Sequence, residues 1–398
     1  MVSRGHKDRR GEHHTDKDHY VKYRSIVSSI SFDNDNKSDF TVMIKNKWTH
    51  VGENIVRLPA IRKKFSLMSK VLISDRKHGI NSVAISPKGR VVAIGLDNGE
   101  VQLRRLSVIT QSEISTVLQK PNKTNDMNNA VTCVRFIPNI ENIVLYSDLS
   151  GHIELVHTDK KCKYTVAKEN GNQINSIDVN SSATRIASGG KDSLLRLYDA
   201  YTGKVVSATI PIWKRRLDSD DTKYHKLRIY CIKFDPENAN IFFSGGLDGY
   251  VKMWDIRQRL KCVRTMRGPY IRGDAIDLWG NVLLTGSWRA SKSMDLWDIT
   301  SGNHIENLVP SNRASSLDAE FYECVRFFNG GKDGSVILCG GSGTGRFEVY
   351  NLVERRMDFA VIVRDTVKTI DSTLSSIVCA GMDGICRVVR YNRIEDRD

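Results

Sequence analysis

A glycine-rich run near the end of the chain, GGSGTG at Gly340–Gly345, contains the residue types most able to do chemistry. Glycine-rich loops hold phosphate through backbone N–H groups, but a nucleotide-binding loop also needs Lys-Ser or Lys-Thr after it and then a helix. Neither follows here, and Thr344 stands where a nucleophile elbow centred on Ser342 requires glycine. The run is therefore interpreted as an elongated turn, and no cofactor is expected.

Potential metal ligands are present but lack a ligating pattern. The histidines of the first 19 residues lie in a polar, highly charged stretch that cannot hold a fixed geometry: His6, His13, His14 and His19. The eight cysteines never form a C-x-x-C pair and lie mostly in apolar runs, as reduced core thiols do. No H-E-x-x-H or EF-hand spacing occurs. The sequence therefore predicts neither a metal site nor an enzyme.

Composition bounds the class of protein and its compartment. The chain has 398 residues, of which 40% are hydrophobic and 27% are charged, so it can build a globular core. The N-terminus has no apolar signal segment, and no apolar stretch approaches the ~20 residues that a spanning helix needs. With reduced cysteines, these features predict a protein of the cytoplasm or nucleus with no membrane partner.

The charge is strongly basic and unevenly distributed. The chain has 60 Lys and Arg against 46 Asp and Glu, a net charge of +14. Residues 1–64 carry 14 basic and 8 acidic residues, or +6, and the other 334 residues carry +8. The excess is therefore densest in an N-terminal arm, where acidic partners would be attracted.

Two basic clusters lie within the rest of the chain. One is WKRR at Trp213–Arg216, and the other precedes Arg272 and contains Arg257, Arg259, Lys261, Arg264 and Arg267. Lys and Arg on an exposed edge strand discourage aggregation, which is the simpler interpretation of the second cluster. The alternative is an electropositive patch that binds RNA or an acidic protein surface.

An internal repeat organises the chain. Each copy has a strand-like run, a turn rich in Gly and Asp, and a second run that in most copies ends with an aromatic residue. The three clearest copies are Ala187–Ala200, Ser244–Ile256 and Leu284–Ile299. The four weaker copies are Ile94–Leu106, Tyr146–Thr158, Cys339–Asn351 and Cys379–Tyr391.

An alternating apolar run precedes most copies and predicts a further strand. These runs are Ile80–Ile85, Val131–Ile137, Ile174–Val179, Ile229–Phe234, Ala275–Leu278, Leu317–Phe321 and Val367–Ile370. A fourth short run follows several copies, as at Val205–Ile210. Four strands every ~40 to 50 residues is the spacing of a β-propeller blade.

The copies that end in Tyr198-Asp199, Trp254-Asp255 and Trp297-Asp298 resemble WD40 repeats, and the resemblance covers roughly residues 65–392. It implies an all-β, seven-bladed β-propeller. It also implies a buried hydrogen-bond network within a repeat, with matching residues Trp254, Ser244, Asp248 and His225, and with Asp192 and Trp297 in neighbouring repeats. In the first repeat His78 fits this pattern, but Arg104 replaces the aromatic residue.

Ring closure requires a strand from elsewhere, because only seven residues follow Tyr391. The run Phe65–Ile73 is expected to complete the last blade and remove its free edge. The predicted organisation is a disordered tail at 1–19, an extension at 20–64, the propeller at 65–392 and a short tail at 393–398. The extension has two possible strands, Ser25–Phe32 and Phe40–Trp48, which could extend a blade, form part of an eighth or dock on a partner.

Loops that converge around the channel of a propeller form its natural binding surface. Here they include Asn81, Lys191, Tyr230, Leu247, Arg272, Trp288 and Met382. The loop from Trp288 to Lys292 is longer than its counterparts and places Trp288 beside Arg289, two residue types enriched at interface hot spots. Trp288 could equally pack into a neighbouring blade.

The sequence therefore predicts a non-enzymatic scaffold: a monomeric ring that binds proteins through its loops within a multi-protein assembly. One alternative is an RNA or ribonucleoprotein binder that uses the basic arm and the arginine cluster. Another is a cytoskeletal or ciliary component attracted to acidic tubulin. A substrate receptor of a ubiquitin ligase is also compatible with the resemblance.

Overall fold

Seven antiparallel sheets follow one another along the chain and form the blades of a ring. The structure is a computed structural model that describes the backbone of residues 40–44, 47–51, 55–56, 65–73, 78–106, 116–119, 129–210, 223–313, 320–331, 333–363 and 365–392, with side chains from residue 65 onward. Within each blade the strands pair in chain order from the innermost strand outward, except for strands that the N-terminal side adds to blades 6 and 7. We number the blades 1–7 along the chain.

The first four blades have four strands each. Blade 1 contains Ile80–Ile85, Val91–Leu96, Val101–Arg105 and Thr116–Gln119. Blade 2 contains Val131–Phe136, Ile143–Asp148, His152–His157 and Cys162–Lys168. Blade 3 contains Ile174–Val179, Arg185–Gly190, Leu195–Asp199 and Val205–Ala208. Blade 4 contains Ile229–Phe234, Ile241–Gly246, Tyr250–Asp255 and Lys261–Arg267, with a single 3₁₀ turn at Ile256–Gln258.

The last three blades complete the ring. Blade 5 contains Ile276–Trp279, Val282–Gly286, Met294–Asp298 and His304–Leu308. Blade 6 contains Tyr322–Phe327, Val336–Gly341, Arg346–Asn351 and Arg356–Ile362. Blade 7 contains Val367–Ser372, Ser376–Gly381 and Ile385–Tyr391, and its outermost strand is Phe65–Leu72 from the N-terminal side.

The predicted seven-bladed fold and its closure by an N-terminal strand are both confirmed. Phe65–Leu72 pairs antiparallel with Ile385–Tyr391, so that Phe65 lies opposite Tyr391. The Phe65 ring also lies 5.8 Å from the ring of Phe328 in blade 6, which ties the closing strand to the neighbouring blade. The two ends of the propeller are thereby joined, and the third strand of blade 7 has no free edge.

Packing between blades explains why these residues form strands. The second strand of each blade lies between two neighbouring blades, and all six residues of Ile241–Gly246 are buried. Apolar residues on both faces of a strand therefore enter the core, which gives short, nearly continuous apolar runs. One cluster joins Phe243 of blade 4, Leu283 of blade 5 and Tyr350 of blade 6.

The predicted innermost strand of blade 6 is misplaced, and residues 317–319 of the predicted run lie outside the described residues. The innermost strand of blade 6 is Tyr322–Phe327, which begins directly after the predicted run Leu317–Phe321. The predicted run alternates apolar and acidic residues and so favoured the wrong segment. The true strand carries Glu323 and Arg326, whose charges have partners inside the ring: Lys368 and Asp274.

The extension before residue 65 contains three short described strands. Phe40–Ile44 pairs with Lys47–Val51, so two strands occupy the region of the predicted single strand Phe40–Trp48. Ile55–Val56 pairs with the outermost strand of blade 6. The other predicted strand, Ser25–Phe32, and the predicted tails at 1–19 and 393–398 lie outside the described residues.

Candidate protein-binding surface

The innermost strands surround the ring axis and carry alternating charges at one position. Blades 2, 4 and 6 have a cation there: Arg135, Lys233 and Arg326. Blades 3, 5 and 7 have a carboxylate there: Asp178, Asp277 and Asp371. Blade 1 has Ala84. This alternation, together with its interruption, could have been found by aligning the innermost strands, and our sequence analysis missed it.

These charges join neighbouring blades. The Arg135 Nε atom lies 3.7 Å from Asp178, and the Lys233 Nζ atom lies 2.9 Å from Asp277. Each carboxylate also accepts a backbone N–H from the next blade; Asp178 accepts that of Phe234 at 2.7 Å. All three carboxylates are hydrogen-bonded, and Asp178 and Asp277 are also paired with a cation, so they can remain in the low-dielectric interior.

A further carboxylate, Asp274, links opposite sides of the channel. It lies 3.0 Å from Arg135 of blade 2 and contacts Arg326 of blade 6. Burial alone would raise the pKa of Asp274, but the guanidinium groups of Arg135 and Arg326 hold that pKa well below its usual range. Ion pairs therefore cross the channel, and they stabilise the ring that carries the loops at the channel mouth.

The most distinctive loop surface lies over blades 4 and 5. The Arg272 guanidinium lies 4.1 Å from the centre of the Trp288 ring, a cation–π contact. Trp288 also packs on Phe321, with ring centres 5.1 Å apart, and its backbone N–H donates to the Tyr270 carbonyl. The Tyr270 side chain remains 45% exposed. Trp288 therefore packs against the loop that leads into blade 6, and its role in binding a partner stays a prediction.

A second cation–aromatic pair adjoins the first. The Arg228 guanidinium lies 5.9 Å from the Tyr230 ring on blade 4. The two pairs are linked through the backbone, because Ile271 donates its N–H to the Gly246 carbonyl and a β-carbon at Gly246 would lie only 2.3 Å from the Arg228 carbonyl oxygen. We call these side chains the aromatic–cation patch: Arg228, Tyr230, Tyr270, Arg272 and Trp288.

Arg289 has a different position from its neighbour Trp288. Its Nη2 atom lies 2.7 Å from Asp295 and 2.6 Å from the carbonyl oxygen of Lys292. The guanidinium therefore braces the long loop from inside. We accordingly centre the surface on Arg272 and Trp288 rather than on Arg289.

The other predicted loop residues lie on different blades. Asn81 donates to the Val131 carbonyl at 2.9 Å and so joins blades 1 and 2. The Lys191 side chain is exposed on blade 3. Met382 packs against Gly79, where an added β-carbon would lie 2.8 Å from its sulfur. These three residues surround the channel but do not join the aromatic–cation patch.

The hydrogen-bond network implied by the repeat lies inside blade 4. The Trp254 Nε1–H donates to Ser244 Oγ at 2.7 Å, and Ser244 Oγ lies 2.7 Å from His225 Nε2. His225 Nδ1 then lies 2.9 Å from Asp248. Burial alone would raise the pKa of Asp248, but its bond to His225 and the charge on that ring lower it. The network fixes the loop that carries Arg228.

Blades 3 and 5 form the corresponding buried hydrogen bonds with other residue types. In blade 3, Glu169 accepts hydrogen bonds from Tyr198 at 2.8 Å and from Arg196, which also pairs with Asp192. In blade 5, Trp297 donates to the hydroxyl of Thr285 at 2.9 Å. The sequence analysis did not identify Glu169, because a carboxylate there replaces the histidine that the repeat implies.

The basic cluster lies on the outer side of blade 4. Arg259, Lys261 and Arg267 are exposed, whereas Arg264 is half-buried. Arg257 forms two hydrogen bonds with Asp255, so its charge is partly neutralised. The cluster therefore lies away from the channel mouth and forms a surface separate from the aromatic–cation patch.

The described residues contain neither a candidate metal site nor a candidate membrane-spanning helix. Among the residues that the structure describes, no group of three or more His, Cys, Asp or Glu side chains could hold a metal ion. Within the same residues, no helix is long and apolar enough to cross a membrane.

Comparison with known proteins agrees with the geometry. The WD40 family, described as WD domain, G-beta repeat, matches residues 160–199 and 221–255, which cover the outermost strand of blade 2 and the first three strands of blades 3 and 4. The fold defines a seven-bladed β-propeller built from repeats. The chain therefore contains WD40 repeats within this propeller.

Several curated proteins are similar over part of the chain. THO complex subunit 6 homolog of Danio rerio is 26% identical over 55% of this chain and 68% of its own length. A guanine nucleotide-binding protein subunit beta-like protein of Encephalitozoon cuniculi is 26% identical over 28% of this chain and 31% of its own length. Pre-mRNA-processing factor 17 of Mus musculus is 28% identical over 32% of this chain. The match covers only 20% of that last protein.

Proposed function

We propose that the chain is a non-enzymatic scaffold whose aromatic–cation patch binds an acidic protein segment within a multi-protein assembly. The observation that carries the proposal is the Arg272–Trp288 stack, which holds a cation and an aromatic ring at the channel mouth of a braced ring. Trp and Arg at such positions are the residue types that dominate binding energy at interfaces.

The charges of the patch indicate the chemistry of the partner. Arg228 and Arg272 have no carboxylate partner among the described residues, and each lies over an aromatic ring. The indole N–H of Trp288 is buried and also lacks an acceptor in the described part of the chain. A partner that supplies carboxylates would pair with both guanidinium groups.

The relatives support an assembly role without identifying the assembly. Two of the three are named as subunits, and one of these is named for the THO complex. A third is named for pre-mRNA processing. Assemblies that process pre-mRNA are therefore the first in which to look for this chain. The cytoskeletal alternative has no comparable observation in its favour.

The test is a comparison of bound proteins between two variants of the full chain. One carries Tyr270→Ala and Arg272→Gln, and its matched control carries Lys88→Gln and Leu374→Ala on the opposite face, where Leu374 is 76% exposed. We expect the first variant to lose a defined set of co-purifying proteins and the control to keep them. Direct binding of a recovered acidic segment should weaken at least about tenfold.

Unchanged partners in the first variant, with an unchanged melting temperature, would refute the proposed surface. Substrate turnover that is lost on changing a patch residue would refute the non-enzymatic role. If the melting temperature falls in only one variant, Arg272→Lys separates a loss of binding from a loss of stability. This substitution keeps the charge but weakens the planar stacking on Trp288.

A further inference from the structure

The outer rims of three consecutive blades hold the excess charge of the propeller. We define a rim as the outermost strand of a blade with the turn that leads into it. Residues 158–168 of blade 2 carry four lysines and one aspartate, and residues 256–267 of blade 4 carry four arginines, one lysine and no acid. Blade 3 adds Lys204, which brings the three rims to +9. The described rims of blades 5, 6 and 7 carry −1, 0 and +1.

Most of these cations are available to a ligand. Two are already paired, Lys163 with Glu154 and Arg257 with Asp255. Seven others have exposed side chains and no carboxylate partner among the described residues: Lys160, Lys161, Lys168, Lys204, Arg259, Lys261 and Arg267. Exposed, unpaired cations on one arc attract polyanions and release counterions when a polyanion binds.

We infer that the arc is continuous, because at two junctions the turn of one blade lies against the outermost strand of the blade before it. A β-carbon at Gly203, in the turn of blade 3, would lie 2.4 Å from the Val166 carbonyl oxygen of blade 2. Gly203 has a φ of +66°, which glycine adopts most readily. Arg355 of blade 6 likewise lies 2.8 Å from Glu306 of blade 5. By the same relation, we infer that the turn with Arg259 in blade 4 lies next to the outermost strand of blade 3.

Two aromatic rings project from this arc at the junction of blades 2 and 3. Tyr164 in the outermost strand of blade 2 is 61% exposed, and Tyr201 in the turn of blade 3 is 81% exposed. Tyr164 lies two residues from Val166, against which the turn carrying Tyr201 packs. Neither ring makes a ring–ring or cation–π contact within the described residues. Aromatic rings left open among cations form a platform for unpaired bases.

We propose that the rims of blades 2–4, with Tyr164 and Tyr201, bind single-stranded nucleic acid. The cations contact phosphates, and the two rings stack on bases, which a duplex keeps covered. Unlike the rings of the aromatic–cation patch that lie under Arg228 and Arg272, these two rings are exposed and not covered by a cation, which favours stacking on bases over binding an acidic peptide. The site is separate from the aromatic–cation patch, so the chain can hold a protein and a nucleic acid at once. Little sequence preference is expected, because stacking and phosphate contacts do not read base edges.

The test uses the full chain and a fluorescein-labelled 20-nucleotide oligouridylate, followed by fluorescence anisotropy at 50 to 200 mM KCl. If about five phosphates are contacted, affinity should fall about a hundred-fold across this salt range. Duplex RNA of the same length should bind more weakly. Tyr164→Ala with Tyr201→Ala should weaken binding about fivefold or more for each ring that stacks.

Charge variants distinguish binding at the rims from general electrostatic attraction between the oligonucleotide and a basic protein. Arg259→Gln, Lys261→Gln and Arg267→Gln together should weaken binding at least about tenfold and reduce the salt dependence. Lys88→Gln, Arg90→Gln and Arg390→Gln remove the same charge from exposed positions elsewhere and should have little effect. Both variants keep the basic N-terminal arm, so its contribution is constant.

Three results would overturn the proposal. The first is no oligouridylate binding at 50 mM KCl, and the second is equal weakening by the rim variant and the control. The third is that polyglutamate binds as tightly as oligouridylate while the tyrosine substitutions change nothing. That result would assign the arc to an acidic protein.

Discussion

Replacing Arg326 by methionine tests whether the crossed channel braces the ring. Arg326 contacts the Asp274 carboxylate and donates to the carbonyl oxygens of Ile276 and Val325, each at 3.1 Å. Methionine fills much of the same space but supplies no donor. Because Asp274 then keeps a single cationic partner, Arg135, we expect a loss of about 3–5 kcal/mol in the free energy of unfolding.

The loss should depend on pH in a defined direction. The pKa of Asp274 lies well below its unfolded value of about 3.9, so the ionised carboxylate stabilises the fold above that pH and ceases to do so below it. Without Arg326 the pKa of Asp274 should rise, and protonation then removes a buried charge that only Arg135 compensates. The difference in stability between wild type and variant should therefore narrow as the pH falls from 7 towards 4.5.

Urea unfolding followed by tryptophan fluorescence gives the measurement, and a double-mutant cycle gives the control. Asp274→Asn should restore much of the stability lost in Arg326→Met, with a coupling free energy of about 2 kcal/mol or more. If the two substitutions are additive within about 0.5 kcal/mol, Arg326 and Asp274 do not act as a pair and the bracing argument fails.

Two further predictions concern the buried interior. Ser244→Ala leaves the Trp254 N–H and the His225 ring without their shared partner, so the urea midpoint should fall by an amount equivalent to about 2–4 kcal/mol, whereas Ser182→Ala at an exposed turn should change it little. Burial raises the pKa of Cys379 and Cys386 to about 12, so iodoacetamide at pH 8 should not label them in the native protein but should label them in urea; rapid native labelling would contradict their burial.

Much of the fold could be predicted because the strands follow a pattern of alternating apolar residues that is visible in the local sequence. The period-two pattern gave Ile80–Ile85, Ile174–Val179 and Ile229–Phe234 with their observed ends. It failed at Tyr322–Phe327, where a glutamate and an arginine point into the ring rather than into solvent. A charge in a sequence indicates exposure unless a distant residue pairs with it, and that partner is not visible locally.

The candidate surface could be predicted only in part for the same reason. Trp288 was identifiable by residue type and loop length, and Arg272 by its place before an innermost strand. The stacking of one on the other depends on how two loops meet, which no spacing reveals. Arg289 had equal weight in the sequence, but its bond to Asp295 turns it inward. Residue type thus locates a surface, while contacts decide which side chains remain available.

Ala84 has a consequence that follows from counting blades. Signs that alternate around a circle can close only when the number of positions is even, and this ring has seven. A carboxylate at position 84 would adjoin Asp371 of blade 7, and a cation there would adjoin Arg135 of blade 2. A neutral residue is the choice that repels neither neighbour. The odd number of blades therefore leaves one innermost strand without a charge at this position. This strand lies in blade 1, the first blade of the ring, and distinguishes that blade from the other six.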